Sequence, residues 1–286
     1  MEVFNKGLVF AMSSALMFSV MNAFVKELSR TMGTGEIVFV RSLIGVIVIL
    51  LVMKKCRISF SHHDIPALVF RGVAGGVSMY LWFYSMRGLP LADASILQQL
   101  SAFFVLLISI FYLKDKMPRS AIAPLCAIVL GACFVLRPWD YNSFSVYAVY
   151  AIISSFLVAA VYTTIHKLFD KGGHSSWEIV FYFLFFSTLI GAVTMIGSVK
   201  MPTTYEAVLL VAVGITSLLA QEFMTKGFEY ANQVLVSFIM YMGIFLNALW
   251  GYVFFGEIMS LLSLIGGIFI IAGSLYLTIE RRKKRS

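Results

Sequence analysis

Glu222 and Lys226 stand one helical turn apart in a long apolar stretch, and they are the first residues on which chemistry could turn. An ionisable group at the centre of a membrane helix costs about 2.5–3.5 kcal/mol, so it persists mainly where it faces a cavity or a partner. Two roles are open for Glu222. It could be a protonatable carboxylate that binds a cationic group or exchanges protons. It could equally be half of a structural pair, since Glu-to-Lys at i,i+4 is the favourable spacing and Lys226 can reach the interface. Lys26 shares a helical face with Asn22 and Ser19, a polar stripe on which Lys26 could hold an anion such as a carboxylate, or snorkel outward while Ser19 and Asn22 bond neighbouring helices. Arg41 could pair with Glu36, meet an anion or position its helix. Gln98 and Gln99 are adjacent amides that cannot both point the same way, so at least one faces protein or cavity. Ser237 and Tyr241 occupy the matching part of a later segment. Tyr80 and Tyr84 share one face, and they and Trp250 could wall a site for a planar or cationic molecule or pack as core. His166 and the interfacial Trp139, Tyr141 and Trp177 read as membrane-boundary residues.

The elements that position these side chains follow from composition. Apolar residues make up 60% of the 286-residue chain and charged residues 13%, with a mean hydropathy of +0.91. Such a chain lacks the charge for a soluble surface. Crossing a hydrocarbon core takes roughly 20 apolar residues per helix. Ten spans meet that need, near 7–25, 37–53, 67–86, 94–113, 120–136, 144–165, 178–199, 206–228, 233–255 and 260–279. The expectation is an all-α integral membrane bundle in the cell (cytoplasmic) membrane, with lipid as its main partner. The net charge of +8 is distributed as a topology signal. With the N-terminus inside, only Lys26, Arg30, Arg41, Arg87, Arg137 and Lys200 fall outside, six of the 22 Lys and Arg residues. The remaining 22 − 6 = 16 lie on the cytoplasmic side, which places both termini there. The basic tail 281–286 then reads as a headgroup anchor, and no nucleic-acid partner is expected. Cys56, Cys126 and Cys133 have no ligand-type spacing and read as reduced packing residues.

The chain also repeats itself. Gly88-Leu-Pro-Leu-Ala-Asp93 leads through an apolar run to Tyr112-Leu-Lys-Asp115. Gly227-Phe-Glu-Tyr-Ala-Asn232 leads through another to Phe254-Phe-Gly-Glu257. Two units of five spans, residues 1–138 and 145–280, meet at the turn-rich Arg137-Pro-Trp-Asp-Tyr-Asn142. An odd number of spans per unit turns the second copy upside down, the arrangement by which secondary transporters build a site open to either side. The expected fold is ten transmembrane helices as two inverted five-helix repeats around a central cavity.

These residues resemble a family. Lys26 closing span one, Arg41, Arg71-Gly72, Tyr84-Ser-Met-Arg-Gly-Leu-Pro-Leu-Ala-Asp-Ala94, Gln221 with Met224-Thr225, Tyr230-Ala231 and Phe255-Gly-Glu257 follow the EamA branch of the drug/metabolite transporter superfamily. The resemblance covers essentially the whole chain. It implies a ten-helix carrier with a central cavity and alternating access, moving an amino acid, amine, vitamin or drug-like molecule, and it adds Gln221 to the cavity-lining candidates. Two departures stand out: Glu222 sits where the family is usually apolar, and the first copy ends in Lys-Asp where Gly-Glu is common.

Rival classes are less well served. His62, His63, His166 and His174 form no HExxH-like array, and no P-loop occurs, so neither an enzyme, a metal site nor a cofactor is expected. A passive channel would advertise a filter or a ring of charges. A non-transporting scaffold would not need the buried polar faces. The expected partners are therefore a small-molecule substrate, the bilayer and, through Glu222, protons as an open option. The sequence fixes no oligomeric state.

Overall fold

In lipid every backbone N–H and C=O must be satisfied within the chain, so a sequence this apolar folds as helices. The computed structural model describes residues 2–61, 63–111, 122–139, 145–171, 174–197, 199–230, 236 and 239–283. Asp115, Tyr141, Ser237 and the last residues of the basic tail lie outside that set. Among the described residues eleven helices run α1 (Glu2–Leu28), α2 (Thr34–Lys55), α3 (Ile65–Ser85), α4 (Leu91–Gln98), α5 (Leu100–Phe111), α6 (Ile122–Leu136), α7 (Val146–Lys171), α8 (Ser176–Thr194), α9 (Thr204–Tyr230), α10 (Met242–Phe255) and α11 (Leu261–Lys283). Helices α4 and α5 are two parts of one span. They part at Gln99, whose N–H bonds back three residues to Ile96 at 3.1 Å, a local tightening of the helix. Counted so, ten spans stand where the sequence places them. Seven are long and apolar enough to cross a bilayer, and the other three are shorter apolar helices.

The main packing partners are α1 with α9, α3 with α7, α2 with α8, and α6 with α11. Next come α3 with α8, α2 with α9, α5 with α7, α1 with α10, and α4 with both α7 and α10. Exchanging spans one to five for spans six to ten maps each of these pairings onto another, or onto itself. Glycines set the closest approaches. A methyl group on Gly131 would lie 2.5 Å from the carbonyl oxygen of Gly266, and one on Gly266 would lie 2.5 Å from that of Gly131. Small residues at helix crossings are how membrane helices reach such contact.

Polar clasps tie the connections at each end. On the side of the chain termini, Ser61 donates from its N–H and its hydroxyl to Glu178, both at 2.8 Å. There the exposed His63 ring lies 4.4 Å from that of buried His174, which also contacts Glu178. At the opposite end Glu36 accepts from the N–H groups of Gly33 (3.0 Å) and Lys200. Of the roles open to Arg41, the pair with Glu36 does not form. Arg41 turns inward to the Met79 sulfur at 2.7 Å and the Phe183 ring at 5.6 Å, because Glu36 is already engaged in holding the start of α2.

Candidate functional site

The centre of interest lies at the end of the bundle away from the termini, where three turns converge. Gly256 ends α10 with φ +65°, a left-handed conformation that glycine adopts without steric cost. That turn sends Glu257 back along its own helix, its N–H bonded to the Gly251 carbonyl at 2.9 Å. Glycine at 251 makes room, since a methyl group there would sit 2.8 Å from a Glu257 carboxylate oxygen. The carboxylate meets two kinds of donor. Its Oε2 accepts from the Leu91 N–H at 2.8 Å, at the first turn of α4 just after Pro90. Its Oε1 accepts from Lys26 Nζ. Helix N-termini favour negative charge, so backbone and side chain act in the same sense.

Lys26 closes the circuit by donating also to the Leu89 carbonyl at 2.7 Å. Only 9% of its surface is exposed, so it does not snorkel outward. Its ammonium and the Arg30 guanidinium lie 5.5 and 5.1 Å from the Phe255 ring centroid. Spans one, four and nine are thereby locked by one ion pair and two backbone groups.

A cavity of about 590 Å³ opens onto this lock, lined by Lys26, Arg30, Arg87, Gly88, Tyr147 and Glu257 among others. A second, of about 340 Å³, shares Gly88, Leu89 and Pro90 with it and adds Asp93, Arg137, Ser260 and Ser263. Arg137 donates to the Ser260 hydroxyl. One Asp93 carboxylate oxygen is buried without a hydrogen-bond partner. Cations outnumber carboxylates on the first cavity, Lys26, Arg30 and Arg87 against Glu257.

Beneath the lock the interior stays polar. Trp250 Nε1 donates to the Ser19 hydroxyl at 3.0 Å, and Asn247 Nδ2 donates to the Ser95 hydroxyl at 2.6 Å. The Asn22 and Asn247 amide oxygens are buried and unbonded. Gln98 Oε1 accepts a long 3.5 Å contact from Ser154, which also pairs with Ser78, while Gln99 is partly buried at the tightened turn. Tyr80, Tyr84, Tyr147 and Tyr150 form an aromatic cluster between α3 and α7, each within 6.1 Å of Tyr84. Tyr241 is buried at the start of α10.

The sequence candidates thus fall into several places. Asn22, Lys26 and Trp250 belong to the lock and the interior behind it, and Tyr80 and Tyr84 to the aromatic cluster between α3 and α7. Glu222 and Lys226 belong to neither. They pair with each other at 3.0 Å on the C-terminal turns of α9, each side chain 40% exposed. There Lys226 lies over the Phe10 ring of α1 at 5.6 Å. Gln221 is partly buried on the same turn. Glu257, Asp93, Arg30, Arg87, Arg137 and Tyr147 were absent from the candidates drawn from sequence. The signal for the two acids was present, since Asp93 and Glu257 each end a repeat motif.

Comparison with known proteins decides the family. The EamA-like transporter family matches residues 5–137 and again residues 146–279. The chain belongs to that family. This EamA-like transporter is 39% identical to the pseudopaline exporter CntI of Pseudomonas aeruginosa over 285 residues, spanning 99% of each chain. It is 26% identical to a riboflavin transporter of Brucella anthropi over 225 residues, spanning 76% of this chain and 77% of the relative. A crystal structure 16% identical in sequence superposes at a TM-score of 0.63, covering 99% of this EamA-like transporter and 100% of its own chain. That last likeness is one of fold.

Proposed function

We propose that this chain is a secondary transporter that exports a small metabolite across the cell membrane by alternating access between two inverted five-span halves. The observation that carries the reading is the Lys26–Glu257 lock, which closes one end of a polar interior by joining span one to spans four and nine. Support for inverted halves comes from the packing pairs that exchange when the halves are swapped and from the two family matches. The excess of Lys and Arg toward the termini supports a cytoplasmic placement for them. The lock then faces outward, and its opening is the release step.

Export, as against uptake, rests on similarity to the pseudopaline exporter, and pseudopaline is the first cargo to try. Within this reading Glu222 anchors spans one and eight and does not couple protons, because Lys226 holds it on an exposed flank. Purified protein in proteoliposomes preloaded with pseudopaline should show saturable counterflow of labelled pseudopaline. Lys26→Met should reduce it severely, and Glu222→Gln should leave its pH profile unchanged. Non-saturable flux, or none with any metabolite offered, would remove the carrier reading.

A further inference from the structure

Glu257 occupies a ready-made anion cradle. Its two oxygens take the Lys26 ammonium and the Leu91 N–H at the start of α4, and the 590 Å³ cavity opens directly onto them. A cavity of that size is within the range that holds a small ligand. Arg30 and Arg87 face the same space; Arg30 is paired with Glu27 at 3.2 Å, whereas Arg87 has no carboxylate partner among the described residues and Glu257 is the one carboxylate among the described lining residues. With Lys26 on Glu257 and Arg30 on Glu27, the Arg87 charge is the one the described lining leaves unmatched.

Resting on the export reading above, we infer that Glu257 is a built-in stand-in for the cargo. The cargo is a small molecule with two or more carboxylates, and one of them replaces Glu257 on Lys26 and the Leu91 N–H. A second carboxylate meets Arg87 or Arg30. The exchange uncouples α10 from α1 and α4, so the bond that holds the outer end shut is given up only when an anion takes it over. Lys26 keeps a carboxylate partner throughout the swap, which matters because an unpaired buried ion costs several kcal/mol. A lock of this kind opens for cargo and stays closed to water and to neutral solutes.

The consequence runs opposite to a purely structural ion pair. A binding-competent state populated only in part weakens apparent affinity by that fraction. Deleting the competitor must then tighten anion binding while spoiling closure. The test is binding of citrate and glutarate to the full chain in phosphatidylcholine nanodiscs, read by calorimetry, with glutaramide and putrescine as controls. Glu257→Gln should bind citrate about tenfold more tightly than the natural chain. Arg87→Gln should bind it several-fold more weakly, and Lys26→Met should lose it. Should Glu257→Gln fail to fold, Glu257→Asp, one methylene short of its donors, must still tighten citrate.

Unchanged or weaker citrate binding in both Glu257 variants would overturn the inference, as would equal binding of glutaramide or putrescine. Anionic lipid competing citrate away would overturn it as well, assigning the cradle to a headgroup. Normal pseudopaline counterflow alongside unchanged citrate binding would sink this inference alone. Tightened citrate binding without any counterflow would sink the export reading alone.

Discussion

At the residue scale, the most exacting positions outside the lock are two cations without carboxylates. Arg41 on α2 and Arg71 on α3 each place a guanidinium over the ring of Phe183 on α8, at 5.6 and 4.7 Å. Nitrogens of both groups are buried without hydrogen-bond partners, and no ion pair involves either among the described residues. The ring is thus a large part of what compensates two charges in a low-dielectric setting. A desolvated cation–π contact is worth about 2 kcal/mol, against about 0.6 kcal/mol for an average interhelical side-chain hydrogen bond in a membrane. Phe183→Leu should therefore destabilise the fold by about 2–4 kcal/mol, a sum of two such contacts. Ser95→Ala, which strips Asn247 of its 2.6 Å bond, should cost about 1 kcal/mol or less. Unfolding of the detergent-purified variants in graded denaturing detergent would order the two. A Ser95 variant less stable than the Phe183 variant would show that the aromatic ring is packing and nothing more.

At the element scale, the ten spans were legible because lipid imposes a simple rule on length and hydropathy, and each described helix overlaps a window read from sequence, though most run a few residues past one or both of its ends. The tightened turn at Gln99 was not legible as a turn, although the paired amides marked the spot. The lock was harder still. Lys26 and Glu257 are 231 positions apart, and their meeting depends on how spans one, four and nine cross, which no local pattern records. Glu222 and Lys226 are the complementary case. Their pairing is local, so it shows in sequence, but whether that face looks inward is a tertiary fact. Glycines carry the same lesson in a testable form. Gly266→Ala on α11 drives a methyl group to 2.5 Å from the Gly131 backbone, whereas Gly243→Ala on α10 meets nothing within 4 Å. The first should lower the melting temperature clearly. The second should raise stability by up to about 1 kcal/mol through helix propensity. Equal effects at the two positions would mean that α6 and α11 do not cross where they touch here.

At the scale of the whole molecule, every functional statement depends on which face of the membrane the lock occupies. The lock, Arg87, Arg137 and Lys200 share one end of the bundle, and the start of α1 and the end of α11 share the other with Cys56 in the α2–α3 connection. The positive-inside rule assigns the terminal end to the cytoplasm, and release from an outward lock requires that assignment. Cys56 is exposed and unpaired, so the chain carries its own reporter once Cys126 and Cys133 are replaced by alanine. In intact cells a membrane-impermeant maleimide should leave Cys56 unlabelled, and permeabilisation should make it react. Lys200→Cys, placed in a background that also lacks Cys56, should react without permeabilisation. The reverse pattern would put the lock inside. The carboxylate exchange at Lys26 would then gate loading of the cargo instead of its release, and Glu257→Gln would leave the transporter open toward the cytoplasm.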